Sequence, residues 1–378
     1  MESLKTITDV CRAFGITGEP TDYQVFTSGH INSTFRIAFE ENGQTQKYLV
    51  QNINTLVFKD PDALMENIVR VTHYLRKRIR EQGGDPERET LHFLKTTDGQ
   101  LCLHRGERCW RVYRFIDHSF TYELLTDAAP FRSAGERFGH FQRLLADYPI
   151  ESLYETIPDF HHTPKRVAAL EAAAAADVVG RAHSVQKELS FALARKDDAE
   201  VALRLLNEGK VPLRVTHNDT KLSNILFDET TKEGICVIDL DTIMPGLSLY
   251  DFGDAIRFGA ATAKEDERDL SLVSVSPELF RAYTAGFLSA CVSALTEAEI
   301  DHLAFSAKLM TYECGVRFLT DYLCGDTYFK IDAPDHNLVR ARNQFKLVAE
   351  MERMMPELEQ IVKEEAAKAL RGQETGDR

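Results

Sequence analysis

No stretch of the 378-residue chain approaches 18 uninterrupted apolar residues, which leaves no candidate for a transmembrane helix. Positive charge is in deficit: 45 Lys and Arg stand against 59 Asp and Glu, a formal net charge of −14. That balance argues against nucleic acid and anionic membranes as partners and is silent about a neutral small molecule. The first fifteen residues lack the basic start and apolar run of a secretory signal. Cys11, Cys102, Cys109, Cys236, Cys291, Cys314 and Cys324 are odd in number and contain no CxxC pair. They read as reduced thiols, not as a disulfide framework or a zinc site, and a cytoplasmic location is expected. The pair His161-His162 has no Cys or second His at ligand spacing and reads as a surface loop. Internal repeats and low-complexity linkers are missing too, apart from an Ala run at 172–176.

What is present, at 43% hydrophobic content, suffices for a sizeable core and two domains. The first third reads as β-rich. Residues 32–39 alternate, Asn42-Gly43 follows, and 46–52 alternate again, which is a strong hairpin signal. A helix is predicted over 61–82, with Pro61 near its start. Strand signals return at 91–96, with Asp98-Gly99 as a turn, and at 109–116. The period then changes: Phe131, Ala134, Phe138, Phe141 and Leu145 fall at helical spacing, and 164–208 is Ala-, Leu- and charge-rich. Short strand-like runs occupy 212–216, 225–228 and 235–240. Helix starts are predicted at Thr262 with Glu265, at Ser276-Pro277 and at Thr296 with Glu299, with a helix end at Gly325 and a frayed tail over 373–378. The expected fold is α+β: a small antiparallel sheet lobe with one helix over 1–116, then a larger, mainly helical lobe over 117–378.

The strongest chemical signal is His217-Asn218-Asp219-Thr220-Lys221-Leu222-Ser223-Asn224. A His, then an Asp, then an Asn five residues after the Asp is the kinase catalytic-loop pattern. Phosphoryl transfer needs a carboxylate to take the nucleophile's proton and an amide oxygen on Mg²⁺, and one tight loop can aim both. Twenty residues on, Ile238-Asp239-Leu240-Asp241 ends an apolar strand, where a kinase keeps its Mg²⁺ carboxylate; Asp239 is the first candidate. An isolated HxD is common, and Asp or Asn in a turn usually serves local hydrogen bonds, so the two signals carry weight together. Other kinase parts are irregular. Ser28 to Phe35 stands in place of the glycine-rich loop but has one glycine, Gly29, and by its residues fits an ordinary turn better. Gln51 occupies the strand position where a kinase carries Lys, so the usual Lys–Glu pair cannot form. Lys221 is the candidate for part of that missing charge. Residues 110–116 would form the last strand and hinge, with Tyr113 and Phe115 as apolar walls for an adenine. The Asp-Phe-Gly string at 251–253 sits 12 residues beyond Asp239, and Asp251 and Asp254 read as loop-structuring carboxylates.

HNDTKLSNIL, VIDLDTIMPG and YDFGDAIRFGA resemble the phosphotransferase family of aminoglycoside phosphotransferases, choline kinases and homoserine kinases. Within it the chain is similar to the bacterial N-acetylhexosamine 1-kinases, a likeness that extends to GHINSTF, WRVYRFI, TYECGVRFLTDYLCGDTYF and HNLVR. That group also carries Gln at the position of Gln51. The resemblance implies a two-lobed, protein-kinase-like fold and transfer of the γ-phosphoryl of ATP, with Mg²⁺, to the anomeric hydroxyl of N-acetylglucosamine or N-acetylgalactosamine. Asp219 then matches the base, and Asn224 and Asp239 the metal ligands. Gly29 and Asn32 belong to the loop over the nucleotide, and His30, Phe258, Arg317 and Tyr328 match positions around the sugar. Read by its neighbours alone, Arg317 could instead pair with Asp321 one turn on. A monomer or weak homodimer is expected. Two alternatives stay open from sequence: a kinase for another small-molecule hydroxyl, and a pseudokinase, which the missing Lys would favour.

Overall fold

The computed structural model describes residues 2–26, 31–41, 43–122 and 127–376, with side chains as far as residue 373. The chain packs as two compact units. The first comprises residues up to Phe120 with 147–158 and 226–244; the second comprises 121–146, 159–225 and 245 to the C-terminus.

The first unit is built on an antiparallel sheet. Its strands are β1 (Glu19–Phe26), β2 (Ser33–Glu41), β3 (Gln44–Ile53), β4 (Leu103–Arg105) and β5 (Arg108–Arg114), in the order β1-β2-β3-β5-β4. β2 and β3 pair without a slip from Ser33↔Asn52 to Glu41↔Gln44, as the alternation predicts. Asn42 of the connecting turn lies outside the described residues; Gly43 has a φ of +77°, the left-handed region the turn demands. One face of the sheet buries Phe35, Ile37, Val50, Trp110 and Val112 against α1 (Leu4–Ala13), whose Ile7, Val10 and Cys11 are fully buried. α1 and β1 lie outside the predicted elements: α1 is ten residues long, and β1 is a largely exposed edge strand without a clear alternation. On the opposite face Arg111 meets Met65 of α2 (Pro61–Glu81) at 3.9 Å, and that helix starts at the Asp60 N-cap as the Pro61 signal predicts.

Residues 91–96 do not form a strand. They bridge β5 only at Phe93↔Tyr113, because β4 takes the rest of that edge. A smaller sheet, ordered β6 (Ser119–Phe120), β8 (Ile225–Asp228), β9 (Gly234–Val237), follows, with β7 (Arg214–Thr216) leading into the HxD loop.

The second unit is helical. It contains α3 (Ala128–Leu144), α4 (Thr163–Ala176), the short helices α5 (Gln186–Leu193), α6 (Lys196–Ala199) and α7 (Val201–Asn207), then α8 (Ser248–Gly259), α9 (Pro277–Cys291), α10 (Glu297–Asp301), α11 (Leu303–Leu323) and α12 (His336–Gly376). Two of the three predicted starts hold: the Ser276 hydroxyl accepts from the Leu279 amide, and Thr296 with Glu299 forms a full capping box on α10. The third fails. The Thr262 hydroxyl is tied to Ser274 and Leu272, and Glu265 pairs with Arg257 at 2.7 Å, so both members are spent on tertiary contacts and no helix begins there. α3 and α9 cross at glycines. A Cβ on Gly286 would lie 2.0 Å from the Arg132 carbonyl, and one on Gly135 would lie 2.3 Å from that of Tyr283. Among the described residues, no helix is long and apolar enough to cross a membrane.

Candidate active site

The predicted site residues divide between the units: Asp219, Lys221 and Asn224 belong to the second, and Asp239 to the first.

In the second unit the HxD loop leaves β7, turns at Asn218 with a φ of +63°, and enters a short 3₁₀ turn over Leu222–Asn224. Such a left-handed position costs a non-glycine residue energy, so the surroundings must hold it. Asp251, on the first turn of α8, does so. Its carboxylate accepts from the amides of His217 at 2.9 Å and Asn218 at 2.8 Å, and from the Gln142 side chain at 2.7 Å. Burial pushes the Asp251 carboxyl up, and His217, the two loop amides and Gln142 pull against it. One turn on, Asp254 accepts from the Thr220 amide at 3.2 Å and is clamped by Arg257 at 2.9 Å. Burial would raise the Asp254 carboxyl too, but the charges of Arg257 and Lys221 outweigh it and hold it below its ordinary value. The Asp-Phe-Gly string thus anchors the loop.

At the tip, the Asp219 carboxylate lies 2.7 Å from the Lys221 ammonium and accepts from the Asn224 amide nitrogen at 3.1 Å; that nitrogen also donates to the Asp219 carbonyl at 2.8 Å. Asn224 therefore has its nitrogen committed to Asp219, which leaves the amide oxygen as the end available to a hard cation. Burial opposes the charge on Lys221, yet Asp219 beside it holds its proton affinity above the ordinary lysine value.

His161 is a correction to the sequence reading. It is buried, not a surface-loop residue: Nδ1 lies 2.8 Å from Glu313 on α11, and Nε2 lies 3.3 Å from the Asn218 carbonyl. Thr163 donates to the second Glu313 oxygen at 2.6 Å. Burial would raise the Glu313 carboxyl, but the His161 charge leads a set of opposing contacts and holds it low. The sequence offers no cue for this link, because 152 positions separate the partners.

Arg317 does not pair with Asp321. Asp321 is spent on the turn after α11, where it accepts from the amides of Thr327, Tyr328 and Phe329 at 2.8–2.9 Å and from Asn337 at 2.9 Å. Among the described residues Arg317 has no carboxylate partner. Its guanidinium lies 5.7, 5.9 and 5.5 Å from the ring centres of Phe160, Tyr328 and Phe329. Arg166 faces the same ground; burial and the charge of Arg317 together lower its pKa. Tyr328 is 69% exposed and Phe258 44% exposed, high for large aromatic side chains.

In the first unit, Thr34, Gln51 and Arg111 lie side by side on β2, β3 and β5. The Arg111 Nε donates to the Gln51 oxygen at 2.9 Å, and the Gln51 nitrogen donates to the Thr34 hydroxyl at 3.0 Å. Arg111 also makes a buried ion pair with Asp241, and the other Asp241 oxygen accepts from Asn32 at 2.6 Å. The Asn32 oxygen in turn accepts from the Asn54 amide at 2.9 Å. Burial works against the Arg111 charge, and Asp241 more than restores it, so the guanidinium stays above its ordinary value. Arg111 escaped the sequence reading: its cue is an Arg on the inward face of an apolar strand, in register with Gln51. Asp239 stands at φ +58°, ψ +58°, capping the 3₁₀ turn that carries Asp241. Tyr113 is buried against Phe93 with ring centres 4.8 Å apart, and burial pushes its phenol up. Phe115 is half-buried, under the guanidinium of Arg36 at 5.7 Å. Gly29 and His30 lie outside the described residues.

Residues 22–285 match the sequence profile of the phosphotransferase enzyme family abbreviated APH. Among solved structures, the chain is similar to choline kinase from Cryptosporidium parvum Iowa II, at 14% identity over 96% of this chain and 99% of that one, with a TM-score of 0.59. It is likewise similar to a spectinomycin phosphotransferase solved with ADP and spectinomycin, at 13% identity over 93% and 97%, with a TM-score of 0.56. A microcompartment-associated aminopropanol kinase matches at 13% identity over 94% and 99%, also with a TM-score of 0.56. The likeness gives the fold: a two-lobed, protein-kinase-like architecture with an antiparallel N-terminal sheet and a helical C-terminal region. With its HxD loop, its Asp239 turn and this match, the chain belongs to the phosphotransferase enzyme family and has the fold of a small-molecule kinase.

Proposed function

We propose that the chain transfers the γ-phosphoryl of ATP to the anomeric C1 hydroxyl of an N-acetylhexosamine, N-acetylglucosamine or N-acetylgalactosamine, giving the α-1-phosphate and ADP. The observation that carries the chemistry is Asp219 held between Lys221 and Asn224 on a loop pinned by Asp251. In this reading Asp219 orients the acceptor hydroxyl and takes its proton in one in-line transfer without a phospho-enzyme. An anomeric hydroxyl is more acidic than an ordinary alcohol, so a carboxylate suffices as base. Lys221 pairs with the Asp219 carboxylate at 2.7 Å and adds positive charge beside the transferred group. Asp239 and the amide oxygen of Asn224 are the proposed Mg²⁺ ligands, a donor set that suits a hard cation. Bound there, Mg²⁺ would neutralise charge that builds on the leaving phosphates.

The missing Lys counts for less than the sequence suggested. Arg111 sits in register with Gln51 and brings a permanent cation to the same part of the sheet. Both ends of the Gln51 amide are engaged, and so are both ends of Asn32. We therefore assign Gln51 and Asn32 to positioning Arg111 and Asp241, with Gly29 in the nucleotide loop and Tyr113 and Phe115 beside the adenine. A buried cation retained beside Asp241 supports a working kinase over a nucleotide-binding relic.

Arg317 supports the choice of acceptor. A cationic amino alcohol calls for carboxylates, whereas Arg317 stands among Phe160, Tyr328 and Phe329 with Arg166 nearby. Guanidinium donors and exposed aromatic faces suit a neutral sugar with an amide group, with His30, Phe258 and Tyr328 completing the contacts. The test is ADP release from Mg-ATP across N-acetylglucosamine, N-acetylgalactosamine, glucose, choline and homoserine. Turnover on the N-acetylhexosamines above the rest is expected; preference for choline or homoserine would overturn the acceptor assignment.

A further inference from the structure

The β4–β5 hairpin carries a group of side chains that the phosphoryl-transfer reading leaves unused. Its sequence is Cys102-Leu103-His104-Arg105-Gly106-Glu107-Arg108-Cys109. Gly106, with a φ of +62°, makes the tight turn, and the register sets His104 opposite Cys109. Side chains two apart on a strand share a face, so Cys102, His104 and Cys109 project from the same side of the hairpin. Trp110 lies on the other side and packs into the core under α1. The first turn of α2 brings Asp62 over the group.

One ligand atom from each of Cys102, His104 and Cys109 lies within 4.8 Å of the others. The Asp62 Oδ1 is 3.1 Å from the Cys102 sulfur and 3.0 Å from the His104 Nε2, and that nitrogen is 3.4 Å from the sulfur. Tetrahedral zinc, with Zn–S near 2.3 Å and Zn–N near 2.0–2.1 Å, sets neighbouring ligand atoms about 3.3–3.8 Å apart. The three separations among Asp62, Cys102 and His104 fall close to that range, and Cys109 lies within 4.8 Å of Cys102 and His104. Both sulfurs are buried, with Cys109 fully so, while His104 and Asp62 stand at the surface and leave a way in for an ion. Two thiols, an imidazole and a carboxylate form a borderline-soft donor set, which selects zinc over magnesium.

We propose that Cys102, His104, Cys109 and Asp62 form a structural zinc site that ties the β4–β5 hairpin to the start of α2. Zinc binding would expel both thiol protons and leave the site with no net charge from two thiolates against Zn²⁺, apart from Asp62. Since Cys109 and Arg111 share a face of β5 two residues apart, the site would also stiffen the strand that carries Arg111.

The experiment uses the full chain, reduced with a phosphine and stripped of metal, and titrates it with Co²⁺. Thiolate-to-cobalt charge-transfer absorption is the readout, because an all-oxygen magnesium site cannot produce it. The expected result is one equivalent of Co²⁺ bound with that absorption, displaced by one equivalent of Zn²⁺, with a rise in thermal midpoint on metal binding. C102S/C109S should abolish the absorption, and C324S should keep it. If C102S/C109S fails to fold by circular dichroism, H104A decides, since His104 is exposed and its loss should weaken binding by about tenfold or more. A reduced wild-type protein that shows no such absorption would overturn the proposal, as would an H104A variant that binds Co²⁺ as tightly as the wild type.

Discussion

Gln51 and Arg111 stand in register on neighbouring strands, and the proposed function gives the second the charge that the first lacks. A protein kinase puts its phosphate-binding cation on the strand that Gln51 occupies. Here the cation stands opposite, on β5, and Gln51 holds it by the Nε. If Arg111 supplies that charge, R111M should lower kcat by about 10²-fold, an effect of the size seen when one fixed transition-state donor is removed. Q51A should act more weakly and in the same direction; unchanged turnover in R111M would return the role to Lys221. At the loop tip, D219N should cost about 10²–10⁴ in kcat while leaving ATP binding in place, which calorimetry can check. R317A should raise KM for the sugar far more than it lowers kcat, because its proposed work is to bind the acceptor. These residues differ in how readily sequence reveals them. Asp219, Asn224 and Asp239 are legible because one short loop and one strand end fix their spacing. Arg111 and His161 are not: their roles come from partners 130 and 152 positions away, Asp241 and Glu313. The zinc ligands were hidden differently, because a C-x-H-x₄-C string becomes a cluster only once a two-residue turn folds it back on itself.

At the scale of elements, the turn and cap chemistry that sequence reads well is local. Pro61, Ser276 with Pro277, and Thr296 with Glu299 mark real helix starts, since each cap closes within four residues. Thr262 and Glu265 carry the same spacing without a helix because tertiary partners claim both side chains. The α3–α9 crossing is the reverse case: Gly135 and Gly286 look like weak points of two helices and are what lets them touch. Hence G286A should destabilise the protein by about 1–3 kcal/mol, the usual cost of overpacking, although alanine is the better helix former. Chemical denaturation measures it, and a variant as stable as the parent would contradict the packing account. Asp251 belongs to this scale too. D251N keeps the shape but weakens the hold on the His217 and Asn218 amides, so it should lower kcat without altering the helices around it.

For the molecule as a whole, buried ion pairs link distant stretches of the second unit. Glu299, at the start of α10, receives Arg214 from β7 at 2.6 Å and the Ser248 hydroxyl from α8 at 2.6 Å. Burial would raise the Glu299 carboxyl, but Arg214 outweighs it and holds it below 4.5, its ordinary value. A depressed carboxyl contributes stability that is fully present above its unfolded pKa and is lost as pH falls through the folded one. The stability gap between the wild type and E299Q should therefore stay constant from neutral pH down to about the ordinary glutamate value, then close at lower pH. At neutral pH it should be about 3–5 kcal/mol, because the substitution strands a buried guanidinium. Urea unfolding across a pH series tests this, and a gap that widens in acid would contradict it.

The proposed reaction places phosphate on the anomeric hydroxyl of an N-acetylhexosamine with Asp219 as the base. The most direct measurement is phosphorus NMR of the product formed from Mg-ATP and N-acetylglucosamine, with D219N run in parallel. A single phosphomonoester coupled to the anomeric proton in the α configuration is expected, formed about 10²–10⁴-fold more slowly by the variant than by the wild type. Phosphate on any other hydroxyl, or an equal yield from D219N, would contradict it.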